Sequence, residues 1–174
     1  MTYQKDLELA LELADIADAI SLNRFRALDL NVQSKPDRSP VTDADRSVEL
    51  ALKELLSQKT PTDALIGEEF GDSGKSNRTW IIDPIDGTAN YLRGVPVWAT
   101  LISLAVDGKP VVGVVSAPAL GRRWWAASEV GSFTKEIDGT TRALKVSEIN
   151  ELENASLSYN NLQLWDLSLI HISE

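Results

Sequence analysis

Between Trp80 and Thr88 the chain must leave an apolar strand, turn sharply, and place two carboxylates three residues apart. Trp80-Ile81-Ile82 forms the body of that strand and Asp83 its acidic end. Pro84 disfavours the helical region for Asp83, so the spacing predicts a strand over 79–83 that stops there. Asp86-Gly87 marks the turn beyond, because glycine accepts backbone conformations closed to other residues. Such a turn can aim two carboxylates and a backbone carbonyl at one point. These are hard oxygen ligands, suited to Mg2+ rather than Zn2+ or Cu2+. Amides freed where the next element begins are donors for phosphate. Asp-Pro and Asp-Gly are also common turn dipeptides, and either one alone signals only a turn. An EF-hand is excluded, since Pro84 follows Asp83 and no twelve-residue ladder ends in glutamate.

Upstream, Leu7, Ala10, Leu11, Ala14, Ala17 and Ile20 recur at helical spacing and predict a first helix ending near Phe25. Residues 29–40 read as a polar connection, broken at Lys35-Pro36 and Ser39-Pro40. Thr42 or Asp43 caps a second helix with Val48, Ala51, Leu52 and Leu55 as its buried stripe. A short strand over 64–67 ends in Glu68-Glu69, and 71–77 is a loop. From Trp98 onward the texture is β. Apolar runs over 98–106 and 110–116 flank Asp107-Gly108-Lys109, a hairpin signal. Residues 122–127 and 132–136 are further strands, with Asp138-Gly139 a turn. Ser147 opens a short helical segment, and 155–159 is one more strand. Helices followed by hairpin-connected strands predict an α+β fold, with helices packed on a largely antiparallel sheet.

The chain's 174 residues suit an ordinary domain, and 43% hydrophobic with 25% charged residues is a soluble globular balance. There is no cysteine, which excludes a disulfide framework and a thiolate metal site. The net charge of -9 argues against a nucleic-acid partner. An acidic protein still handles phosphate when bound cations invert the local field. No secretory leader or bilayer-length apolar stretch is read, so the expectation is a cytoplasmic protein away from membranes.

Two further acidic segments are ambiguous alone. Gly67-Glu68-Glu69 would ordinarily be solvated surface, but it follows a strand. A neighbouring strand end would bring Glu68 beside Asp83. In Pro40-Val41-Thr42-Asp43-Ala44-Asp45, acids in a first helical turn suit the helix dipole without any further role. That plain reading is preferred for Asp43.

Together, Gly67-Glu68-Glu69, Trp80 to Thr88, and Lys35 with Val41-Thr42 and Asp45 resemble the inositol monophosphatase superfamily of magnesium-dependent phosphatases. The resemblance covers about residues 5–160. It implies a layered αβαβα sugar-phosphatase fold acting on a small phosphate ester, two or three Mg2+ ions, and a homodimer at full length. It also implies roles. Glu68, Asp83 and the Ile85 carbonyl would hold a first metal, and Asp83 and Asp86 a second. Amides at Gly87 and Thr88 would bind phosphate, with Glu68 and Asp86 also on the substrate side. Asp45 and the Thr88 hydroxyl would orient and deprotonate the attacking water.

Arg93 to Ala99, Ser116 to Leu120, and Arg122-Arg123-Trp124-Trp125-Ala126-Ala127 resemble more narrowly the bacterial histidinol-phosphatases of that superfamily. Arg122 to Trp125 also reads simply as a strand with exposed basic ends. The family's third acidic motif, a Trp-Asp pair before small residues, has a look-alike in Trp165-Asp166. It comes too early and lacks the following small-residue helix. The resemblance therefore implies an N-terminal metal- and phosphate-binding region over 1–150. Residues 151–174 would start a shortened C-terminal α/β region, with a tail from about Ser168 of foreign character. The lone His171 is given no role.

Overall fold

The structure, a computed structural model, describes residues 2–35 and 39–157. The chain divides into two compact units, Met1–Leu144 and Lys145–Glu174. In the second unit the described residues contain one 3-10 turn, Leu152–Asn154. The helical start expected at Ser147 is not formed, and residues 155–157 make no strand. The rest of that expected strand, Trp165-Asp166, Ser168 and His171 lie outside the described residues.

The first unit opens with α1, Gln4–Arg24. Its buried face is Leu7, Ala10, Leu13, Ala14, Ala17 and Ser21. The expected stripe is thus slightly rotated: Leu11 and Ile20 are only half-buried. The polar connection contains a small antiparallel hairpin, β1 (Val32–Ser34) and β2 (Pro40–Thr42). The Lys35 amide closes it by donating to the Ser39 carbonyl at 2.8 Å.

Helix α2, Asp43–Lys59, begins at Thr42, whose hydroxyl accepts the amides of Ala44 and Asp45 while Asp45 reaches back. This reciprocal capping satisfies donors that the first turn leaves unpaired. Helix α2 buries Ala44, Asp45, Val48, Glu49, Leu52 and Leu56, and Leu56 takes the inward place expected of Leu55.

The strands are β3 (Ala64–Gly67), β4 (Gly71–Ser73), β5 (Arg78–Asp86), β6 (Ala99–Val106), β7 (Lys109–Ala117), β8 (Arg122–Ala127), β9 (Gly131–Lys135) and β10 (Thr141–Ala143). They form one eight-stranded sheet, ordered β10-β9-β8-β7-β6-β5-β3-β4. A short helix α3, Thr88–Leu92, follows β5. Strands β1, β2, β4 and β10 and helix α3 are additions to the elements read from sequence.

Every pairing is antiparallel except β3 with β5. Helices α1 and α2 bury Trp80, Ile82, Ile102, Leu104, Val112 and Val114 in one core cluster. The sheet's residues of opposite phase, Ile66, Ile81 and Val115, are exposed. The α+β expectation, helices on a largely antiparallel sheet, is met.

Strand β5 does not stop at Asp83. It continues through Pro84 to Asp86, with a bulge between Asp83 and Asp86 against β6. Asp83 faces Leu101 and Asp86 faces Ala99, so β5 spends one extra residue there. A proline inside a bulge removes no ladder bond, which is why the rule against strand-interior proline fails here. The buried Thr100 hydroxyl fixes the bulge by donating to the Pro84 carbonyl at 2.8 Å.

Candidate active site

The parallel pairing of β3 and β5 sets Gly67 opposite Ile82. The next residues, Glu68 just past the end of β3 and Asp83 at the bulge within β5, therefore lie side by side. Asp83 Oδ1 is buried without a hydrogen-bond partner. Burial, the neighbouring Glu68 carboxyl and the charge of Asp86 push the Asp83 pKa up to about 8. The carboxylates are thus crowded beyond what the protein itself neutralises.

Lys35 supplies part of the missing charge. Its Nζ lies 2.5 Å from Glu68 Oε1 and 2.7 Å from Glu69 Oε1. Burial disfavours the ammonium, but the two glutamates outweigh that and raise its pKa above the ordinary lysine value.

Beyond the bulge, Gly87 adopts φ 91° and starts α3. A Cβ there would lie 3.1 Å from the Val97 carbonyl oxygen, so both backbone angle and space call for glycine. The Thr88 hydroxyl faces two acceptors, the Ile85 carbonyl at 3.0 Å and Asp45 Oδ1 at 3.2 Å. The other Asp45 oxygen accepts the Thr42 hydroxyl at 2.5 Å and the Thr42 amide at 2.8 Å. Asp45 is fully buried, and burial raises its pKa against the lowering effect of its hydrogen bonds to Thr42 and Thr88. One Asp45 oxygen thus serves the helix cap, and the other faces the Thr88 hydroxyl.

A second core cluster holds this corner in place. Ile85, Tyr91 and Trp98 pack with Ala44, against Phe25, Leu30 and Ala119. The Tyr91 hydroxyl donates to the Ser21 carbonyl at 2.7 Å, tying α3 to α1.

Asp43 stays outside the cluster, as its plain reading required. It pairs with Arg24 at 2.8 Å and accepts the Asn31 amide at 3.1 Å. The Arg122–Trp125 segment is structural as well. Arg123 ties β8 to α1 through Asp18 at 2.6 Å and Asp15 at 2.8 Å. Arg122 pairs with Glu136 at 2.6 Å and lies over the Trp124 ring, while Trp125 stacks on Phe133.

The donor chemistry at Glu68, Asp83, Ile85 and Asp86 fits a hard divalent cation, and the orphaned Asp83 oxygen is an open ligand position. Among the described residues, no three acidic side chains already form a closed cage. Glu68 is turned to Lys35, and one oxygen of Asp45 is committed to Thr42.

One residue was missed from sequence. Glu49 lies at the helix phase of Asp45, Leu52 and Leu56 and is fully buried. A charged side chain at a core-phase position is the signal that would have found it.

The Asp83 shift carries a pH prediction. Its folded pKa of about 8 exceeds the ordinary value of 3.8, so the folded state keeps a proton that the unfolded chain releases. The resulting stability is full below about pH 4 and is lost as pH rises through about 8. Urea midpoints in chelator should therefore fall for wild type relative to Asp83→Asn as pH rises across that window. A difference that does not change with pH would refute the shift.

An acidic cluster at a bulged strand end, beside a hydroxyl–carboxylate pair, on a helix-backed mixed sheet defines the class. The chain belongs to the inositol monophosphatase family, which it matches over residues 2–163. It is 55% identical over 161 residues to the histidinol-phosphatase of Mycobacterium tuberculosis, covering 92% of this chain and 62% of that protein. It is 52% identical over 168 residues to the histidinol-phosphatase of Streptomyces coelicolor, covering 94% of this chain and 63% of that protein. The solved structure of extragenic suppressor protein suhB from Bartonella henselae aligns with TM-score 0.76 at 28% identity, over 85% of this chain and 57% of that one. The chain thus spans 62–63% of the length of these two histidinol-phosphatases.

Proposed function

We propose that the protein hydrolyses a small phosphate monoester with Mg2+, and that its preferred substrate is L-histidinol phosphate, within histidine biosynthesis. The observation that carries the hydrolytic reading is the juxtaposition of Glu68 with Asp83, next to the hydrogen-bonded Thr88–Asp45 pair. The preference rests on the two histidinol-phosphatases that share more than half of their aligned residues with this chain.

In this reading Glu68, Asp83 and the Ile85 carbonyl would hold one Mg2+, and Asp83 and Asp86 a second, with two or three ions in the whole protein. Bound there, the cations would neutralise phosphate charge and lower the pKa of nearby water. The chain's own groups do the rest. Amides at Gly87 and Thr88 face the phosphate at the start of α3, where a helix leaves its first donors unpaired. Glu68 and Asp86 border the same space. The Thr88 hydroxyl accepts a proton from the attacking water while passing its own to Asp45. The water oxygen bonds to phosphorus, the bond to the alcohol oxygen breaks, and the released alkoxide takes a proton from solvent water, the resulting hydroxide being neutralised by the proton that Asp45 gives up. Proton transfer of this kind contributes about 10²–10⁴-fold. The reading includes a cytoplasmic homodimer without a nucleic-acid partner, in keeping with the net charge of -9. Among the described residues, no helix is long and apolar enough to cross a membrane.

The test is phosphate release by the product of the complete coding sequence, over histidinol phosphate, inositol 1-phosphate and fructose 1,6-bisphosphate. The ratio of kcat/KM values should favour histidinol phosphate by about tenfold or more. A ratio favouring inositol phosphate would move the protein to the inositol-phosphatase reading. No turnover of any of the three, with Mg2+ still bound, would make it a catalytically silent metal-binding protein.

A further inference from the structure

Among the described residues, Glu49 is the one fully buried carboxylate that the proposed chemistry leaves without a task. It projects from the middle of α2 and has no solvent exposure. An isolated buried carboxylate is costly unless its oxygens are hydrogen-bonded. Both are, and neither partner belongs to its own helix. Oε2 accepts the Glu69 amide at 2.7 Å, and Oε1 accepts the Phe70 amide at 2.9 Å.

Gly67 completes the arrangement from the other side. A Cβ built there would lie 2.0 Å from Glu49 Oε1 and 2.6 Å from its Cδ. Residue 67 must therefore be glycine for the carboxylate to reach the turn. The backbone φ of Gly67 is not left-handed, so its role is space rather than conformational freedom. One carboxylate thus contacts the chain immediately before Glu68 and immediately after it. The Gly67-Glu68-Glu69-Phe70 turn is wrapped around an anchor on a different element.

We propose that Glu49 is a positioning residue: its carboxylate fixes the turn that carries Glu68 and so holds Glu68 beside Asp83. The proposal rests on the reading of Glu68 and Asp83 as metal ligands. Strand pairing sets the register only up to Gly67 and Ile82. Asp83 is still held by its pairing with β6, but Glu68 lies in the turn between Gly67 and Gly71 with no ladder pair of its own, and the two amide bonds to Glu49 fix that turn. Outer partners that orient ligands in this way are typically worth 10–100-fold in metal affinity.

The test measures Mg2+ affinity by calorimetry, and kcat against Mg2+ concentration, on the product of the complete coding sequence. Glu49→Gln keeps the shape but turns one acceptor into a donor facing an amide. It should raise the Mg2+ requirement about 10–100-fold, with kcat at saturating Mg2+ within about threefold of wild type. Gly67→Ala, which displaces the same carboxylate from the opposite side, should show the same shift. Leu52→Ala, a fully buried neighbour on α2, should lower thermal stability and leave the Mg2+ requirement unchanged. An unchanged requirement in folded Glu49→Gln and Gly67→Ala, while Asp83→Asn loses binding, would overturn the proposal alone. Failure of both variants to fold would assign Glu49 to stability and overturn it too. Equal Mg2+ affinity in wild type and Asp83→Asn would overturn the site reading and the proposal together.

Discussion

Replacing Asp83 by asparagine is expected to cut phosphate release by about 10³-fold or more while leaving the protein folded. Asp83 is the residue shared by both proposed metal positions, and its Oδ1 has no other partner. Losing a charged ligand at such a place removes several kcal/mol of transition-state stabilisation, and about 1.4 kcal/mol corresponds to tenfold in rate. The fold should not suffer. In the metal-free protein Asp83 is crowded by Glu68 and Asp86, so a neutral side chain relieves repulsion. Circular dichroism should be unchanged, thermal stability in chelator should be equal or higher, and calorimetric Mg2+ binding should be lost. Turnover within tenfold of wild type at saturating Mg2+ would remove Asp83 from the metal site.

Tyr91→Ala is expected to have the largest effect on stability near the site. The ring is fully buried, with centroids 4.9 Å from Trp98 and 5.4 Å from Phe25. Emptying an aromatic site of this kind costs about 3–5 kcal/mol. The hydroxyl bond to Ser21 adds to the loss, and Tyr91→Phe alone should cost about 1 kcal/mol. Helix α3 has five residues, too few to hold itself together, so its geometry comes from this packing. Urea denaturation measures the change directly. A loss below about 1 kcal/mol would show that the aromatic cluster does not anchor α3.

The elements legible in the sequence were those with an uninterrupted local pattern. Helices α1 and α2 followed from apolar spacing, and the hairpin between β6 and β7 from Asp107-Gly108, both of which take positive φ. The pairing of Glu68 with Asp83 was anticipated because both follow apolar strands, although only the parallel register establishes it. What was not legible depended on partners far along the chain. The passage of β5 through Pro84 needs Thr100 to hold the bulge. Helix α3 needs Tyr91 to reach Ser21, 70 positions away in sequence. The β1–β2 hairpin is only three residues per strand and fully exposed in β1, so it leaves no alternation to read. Glu49 showed only its core-phase position on α2, and its partners, being backbone amides, leave no sequence signature to say what it holds.

The two margins of the sheet bear on how the protein behaves in concentrated solution. Among the described residues, the eight strands end in β4 at one side and β10 at the other. Each margin is three residues long, Gly71-Asp72-Ser73 and Thr141-Arg142-Ala143, and each carries a charge at its centre. A neighbouring molecule seeking to extend the ladder would find room for very few main-chain bonds, and would have to desolvate an aspartate or an arginine to make them. Short, charged borders of this kind resist intermolecular strand addition. The long central strands β5, β6 and β7, which would template such growth most readily, are enclosed on both sides by their own neighbours. Fibrillar self-assembly of the folded state would first require the β3–β4 margin or the β9–β10 margin to peel away.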